Sequence, residues 1–220
     1  LQDLVEKQIN GAYPDAEVKE VPEYNIFSEE GKVAFSSLKL RNTAFYPIKV
    51  YKDLPTDPLS SLTSALAKMS EGEGAAIQIL ISPAESKWRS LGKRFVSKTK
   101  KEESEPEKAK FKLDAKSLEM IDNKCSKPGF EAEVRIVVCS TSLEQAKAHL
   151  SNLRSAFEQF SGDLNGFKGK KIWFQGLFMT DFLYRFQPMS RFGGRSILNS
   201  EELATIFHFP NKTVETPHIY

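Results

Sequence analysis

The stretch Asp57 to Ser82, DPLSSLTSALAKMSEGEGAAIQILIS, reads as a helix, a break and a strand. Asp57 is a good N-cap and Pro58 suits the first helical position, because proline lacks the amide that a helix start leaves unpaired. Leu59, Leu62, Leu66 and Met69 then recur at helical spacing, and Gly72 and Gly74 end the pattern. Ala75 to Ser82 is an uncharged apolar run of strand length, which predicts a strand in the centre of a sheet.

Working outward, Leu1, Leu4, Val5 and Ile9 share a helical face that Asn10 and Gly11 stop. Ala16 to Val21 predicts a strand. Val33, Phe35, Leu38 and Leu40 predict another, with the alternation slipping at Ser36 and Ser37 as a bulge would make it slip. Glu85 to Val96 carries Trp88, Leu91 and Phe95 on one helical face. The order helix, strand, strand, helix, strand is a ferredoxin-like, split βαβ unit without its first strand, and that strand is expected upstream of Leu1.

Lys98 to Lys110, KTKKEESEPEKAK, interleaves both charge signs around Pro106 and offers nothing to bury. Residues 98–112 are therefore expected to be a solvated linker between a first lobe, 1–97, and a second, 113–209. In the second lobe Leu113 to Asn123 predicts a helix and Phe130 to Cys139 a strand. Ser142 caps a helix bearing Leu143, Ala146, Leu150, Leu153, Ala156, Phe157 and Phe160, which Gly162 ends. Ile172 to Phe178, IWFQGLF, reads as a strand or an irregular apolar segment. Ser200 caps a last helix with Leu203, Ile206 and Phe207 on one face. The fold class expected is α+β, with two ferredoxin-like lobes and mainly antiparallel sheets. Residues 210–220 read as an extended linker, because Pro210 and Pro217 disfavour helix.

Composition limits function. Thirty-one Lys and Arg against 29 Asp and Glu leave a net charge of +2, so no overall field draws the chain onto nucleic acid or anionic lipid. No apolar run approaches the roughly 20 residues that span a bilayer, and the expected location is the cytoplasm. Cys125 and Cys139 lack CxxC spacing and read as free thiols. The glycines of GFKGKK, 166–171, lack the P-loop spacing. His149, His208 and His218 are scattered, with no HExxH, and no GxSxG elbow occurs. Neither catalysis, a metal, a cofactor nor a small-molecule substrate is expected.

One segment has the composition of a single-strand nucleic-acid binder. Phe178 to Arg195, FMTDFLYRFQPMSRFGGR, interleaves aromatic rings with arginines, the pairing that stacks on bases and meets phosphates. Tyr184, Arg185, Arg191, Phe192 and Arg195 are the candidate contacts. The competing reading places the aromatics in the core and the arginines in solvent, and a third docks the exposed part on another domain.

Leu198 to Ile219, LNSEELATIFHFPNKTVETPHI, closely resembles the segment joining an N-terminal α+β region to the P-loop motor in conjugation-type ATPases of the type IV secretion and DNA-transfer class. EKQINGAYPDAEV (6–18), YPIKVYKDLPTDPLSSLTSAL (46–66), GAAIQILISP (74–83) and KPGFEAEVRIVV (127–138) support the resemblance in the same order. It implies a non-catalytic accessory module that positions the motor or a partner at the inner face of the membrane. Its implied partners are a C-terminal ATPase domain, further copies in a ring, and DNA through the parent complex.

Overall fold

The computed structural model describes residues 2–14, 16–19, 21, 25–103, 113–187 and 196–209. In chain order they form α1 (Gln2–Ala12), β1 (Lys32–Leu40), α2 (Pro58–Leu66), β2 (Gly74–Pro83), α3 (Lys87–Glu103), α4 (Ala115–Ser126) and β3 (Gly129–Ser140). There follow α5 (Leu143–Ala156), β4 (Phe167–Lys170), α6 (Gln175–Leu183), β5 (Ser196–Asn199) and α7 (Ser200–Ile206). Short 3-10 turns cover Tyr51–Asp53 and Phe157–Phe160. Asp57 and Ser142 cap α2 and α5 as their positions predict, each accepting a backbone amide from the first turn. The cap of α7 is Asn199 rather than Ser200, in a capping box closed by Glu202.

The strands make one open sheet in the order β2-β3-β1-β4, with β5 beside the start of β3. All its pairings are antiparallel. β1 and β2 both oppose β3, so they run parallel to each other with β3 between them, and α2 makes the crossover. β3 and β4 likewise flank β1 and are joined through α5. The α+β class with antiparallel pairing holds. The division into two lobes does not: β3, from the second half, lies between β1 and β2, from the first.

The physical reason is burial. β3 is covered on both faces and enclosed from Val134 to Ser140, so it can serve as the middle of a sheet, whereas β2 is only half-buried along most of its length. The run AAIQILIS, expected in the centre, is an edge. On one face Leu38, Leu40, Val134, Ile136 and Val138 pack with Leu59 and Leu62 of α2 and Leu150 and Leu153 of α5. On the other, Val137 and Phe35 meet Phe178 and Phe182 of α6, with the Phe35 and Phe178 rings stacked at 4.8 Å. A third cluster joins Trp88 and Val96 of α3 to Leu118, Ile121 and Cys125 of α4. Cys125 and Cys139 are free and buried, and burial pushes the Cys125 thiol up.

Several local expectations are corrected. The register of β1 against β3 runs without a bulge through Ser36 and Ser37; both serines are buried because both faces of β1 are covered, which blurs the alternation. No strand forms over 16–19 or at Val21. α1 has no buried residue, so it needs no further strand beneath it, and the reason for inferring one upstream disappears. Helix α3 continues through Lys98 to Glu103 and buries Thr99, where a linker was expected; 104–112 and 210–220 lie outside the described residues.

Gly92 marks the tightest point between α3 and α4. A Cβ there would overlap Cys125 Sγ and stand 2.8 Å from Phe45 Cβ. Alanine improves intrinsic helix propensity by about 1 kcal/mol, but overpacking a fixed core costs about 1–3 kcal/mol. Gly92→Ala is therefore expected to lower the urea midpoint, and a raised midpoint would show that the α3–α4 contact is looser than its geometry.

Candidate functional site

α6 forms over a short segment in which two phenylalanines recur at helical spacing. Phe178 and Phe182, four residues apart, point into the sheet and are buried. Leu177 lies on another side of the helix, and Phe174 and Tyr184, the residues flanking it, also stay in solvent; the three are exposed by 59%, 74% and 81% in that order. Trp173, Leu183 and Phe186 are exposed at the two ends. Isolated exposed apolar residues are ordinary, but six of them within residues 173–186 form the kind of patch that marks a contact surface. The Lys171 ammonium lies 3.9 Å from the centre of the Trp173 ring, a cation–π contact in solvent.

The C-terminal end of this helix is held from below by a buried arginine. Arg135, on β3, is 1% exposed and donates from Nη1 to Gln78 Oε1 and Asp181 O, both at 3.0 Å. Its Nη2 donates to Glu133 Oε2 at 3.1 Å and to Phe186 O at 2.8 Å. Gln78 Nε2 adds a bond to Phe182 O at 3.1 Å. Carbonyls at a helix C-terminus lack intrahelical donors, and a cation there also complements the helix dipole. Arg185 turns the chain with φ 52°, a left-handed conformation that ends the helix and brings the Phe186 carbonyl to the guanidinium. The clamp is thus built from β2, β3 and α6.

The candidate contacts divide accordingly. Tyr184 is exposed at the end of α6 and Arg185 forms the turn beside it. Arg191, Phe192 and Arg195 lie outside the described residues. Phe178 and Phe182 belong to the core, as the competing reading had it, while Tyr184 and Phe186 do not. Sequence reasoning missed Trp173, Phe174 and Leu177 because IWFQGLF resembles a strand: aromatic residues favour strands. The four-residue spacing of Phe174, Phe178 and Phe182 was the available signal for a helix, and Phe174 is exposed because it lies at the N-cap, before the helix begins.

Other buried ionisable groups are engaged in holding the fold. Lys124 and Glu202, 1% and 0% exposed, pair at 3.0 Å beneath a cleft of about 450 Å3. The Lys124 ammonium also donates to Tyr46 O and Ile197 O, while Glu202 accepts the amides of Ile48 and Asn199. Burial pushes the Lys124 ammonium down, and Glu202 opposes that effect. At the cleft rim, the Lys127 ammonium holds Glu201 below the usual carboxylate range. Glu73 is held down first by the Ser140 hydroxyl, and its second oxygen meets His149 Nε2 at 3.2 Å. Serine here donates to the acid and not to the histidine, so this is not the order of a nucleophilic triad. Among the described residues, no group of three or more His, Cys, Asp or Glu could hold a metal ion, and no helix is long and apolar enough to cross a membrane.

No curated protein and no solved structure matches the chain. The chain belongs to the family described as domain of unknown function DUF8128, whose model matches residues 1–220.

Proposed function

We propose that this chain is a non-catalytic assembly module that docks a protein partner on the outward face of α6. The observation that carries the reading is the exposed set Trp173, Phe174, Leu177 and Tyr184, on and flanking a helix fastened to the sheet by Arg135. A rigid helix presenting aromatic anchors loses little conformational freedom when it binds, which is how interfaces concentrate affinity in a few residues. Its buried charged pairs are consumed by backbone groups and by each other, which suits a scaffold. The resemblance to DNA-transfer ATPases supplies the partner: the motor domain of the parent protein, which the module would position.

A second reading has its own support. Lys171 already lies over the Trp173 ring, and Lys168, Lys170, Tyr184 and Arg185 add cations and a further ring in nearby sequence, so α6 could receive single-stranded DNA on its way to the motor.

The test compares amide exchange over 173–187 in the isolated module and in the full-length parent protein. Slower exchange in the parent, removed by Phe174→Ser with Leu177→Ser, is expected. Equal rates would overturn docking at α6. Anisotropy titration with labelled oligothymidine at two salt concentrations covers the DNA reading, since phosphate contacts weaken steeply with salt. ATP hydrolysis by the purified module would overturn the non-catalytic assignment.

A further inference from the structure

The two edges of the sheet are built differently. β4 is four residues long and carries Lys168 and Lys170, features that discourage another strand from adding. β2 is ten residues long, and its register with β3 runs unbroken from Gly74 to Pro83. It contains no charged residue, and its one proline is the last residue. Every second residue of an antiparallel strand turns its N–H and C=O away from its neighbour, so the outer side of β2 carries a row of backbone groups. Among the described residues, no backbone hydrogen bond reaches that side. A groove of about 670 Å3 follows residues 76–80 of β2, walled by Ile26, Phe27, Phe182 and Leu183.

We propose that β2 of a second copy occupies this groove, making a two-fold antiparallel pair that continues the sheet from one molecule into the next. The strand is self-complementary about Gln78, the midpoint of the groove. With Gln78 on the axis, Ile77 faces Ile79 of the second copy, and beyond that pair the small Ala76 and Ala75 face the large Leu80 and Ile81. A residue on a two-fold axis always meets itself. Gln78 is neutral, and its amide is already held by Arg135 and the Phe182 carbonyl, so no like charges are forced together. Ile81, 54% exposed in the single chain, would be covered. An isologous contact of this kind closes at two copies; it uses the Phe182 and Leu183 end of α6, whereas Trp173, Phe174 and Leu177 do not line the groove.

Sedimentation equilibrium of the 220-residue chain tests this, with a dimer expected in exchange with monomer. Ile81→Lys places an ammonium among apolar neighbours at the pairing and is expected to give a monomer with unchanged circular dichroism. Under mild oxidation Gln78→Cys should crosslink to itself, since directly opposed residues lie within disulfide reach. Ile81→Cys should not, because its two copies would be about 20 Å apart along the strands. Trp173→Ser should leave the dimer intact, which separates this contact from docking at α6. A monomer at every concentration, a dimer that survives Ile81→Lys, or a dimer abolished by Trp173→Ser would each overturn the proposal.

Discussion

Lys124→Met is expected to destabilise the protein by about 3–5 kcal/mol, the range seen when one member of a buried ion pair is removed. The substitution is nearly isosteric, so lost packing contributes little. The cost arises because Glu202 keeps its charge at 0% exposure with its counter-ion gone, and because the Ile197 carbonyl loses the ammonium, whereas the Tyr46 carbonyl keeps the Asn165 side-chain amide at 2.9 Å. The same argument predicts a rescue. Glu202→Gln in the Lys124→Met background removes the orphaned charge, and its one oxygen can still accept the Asn199 amide as a capping box requires, but the Ile48 amide, which bonds the other carboxylate oxygen, then faces the glutamine NH2. The double variant should recover part of the loss but not all, since the Ile197 carbonyl still lacks the ammonium and the Ile48 amide has lost its acceptor. Urea unfolding with unchanged slope is the measurement. A single variant within about 1 kcal/mol of the wild type would mean that water reaches the pair and that the site is not a dry joint between α4 and α7.

That joint could not be read from the sequence. Lys124 and Glu202 lie far apart along the chain, each on a helix with other charged residues, and a lysine in such a setting is ordinarily solvated. What was legible was local. Asp57 with Pro58 marked α2, Ser142 marked α5, and the apolar runs in 75–82 and 130–139 marked β2 and β3, because caps and periodicity act over a few residues. Pairing is not local. The charged stretch after Val96 looked like a boundary, yet α3 and α4 lie between β2 and β3 in sequence without separating them in space, and those two strands pair over ten residues. The most informative signal was the uninterrupted apolar run in β3, where Ile136, Val137, Val138 and Cys139 follow one another. A strand with consecutive apolar residues must be covered on both faces. The α6 site was half legible: its aromatic content drew attention to Tyr184 and Arg185, but the helical phase that separates Phe178 and Phe182 from Leu177 was hidden by strand-like composition.

Arg135→Met should have an effect of similar size but a different distribution. The guanidinium meets four acceptors, so its loss takes the donor from the Phe186 carbonyl and the counter-ion from Glu133, while the Asp181 carbonyl keeps the Phe186 amide and Glu133 keeps the Ser37 hydroxyl. A global cost of about 3–5 kcal/mol follows if the segment stays docked with the Phe186 carbonyl unsatisfied and Glu133 unpaired. The cheaper response is local. α6 is short, its N-cap residue supplies no side-chain cap, and its outer face contributes nothing to the core. Its attachment consists of Phe178, Phe182 and the arginine clamp. Once the clamp is gone the carbonyls can reach water by partial release of residues 178–187, and stability is then lost in that segment before the rest. Amide exchange should accordingly rise there far more than in β1 and β3, which remain covered on the opposite face by α2 and α5. Arg135→Lys is expected to fall between the two, because a single ammonium cannot span the forked set of acceptors. If exchange in Arg135→Met rose uniformly over the sheet, the arginine would be a support of the whole core. The exposed set on and flanking α6 would then lack the dedicated fastening on which the docking proposal relies.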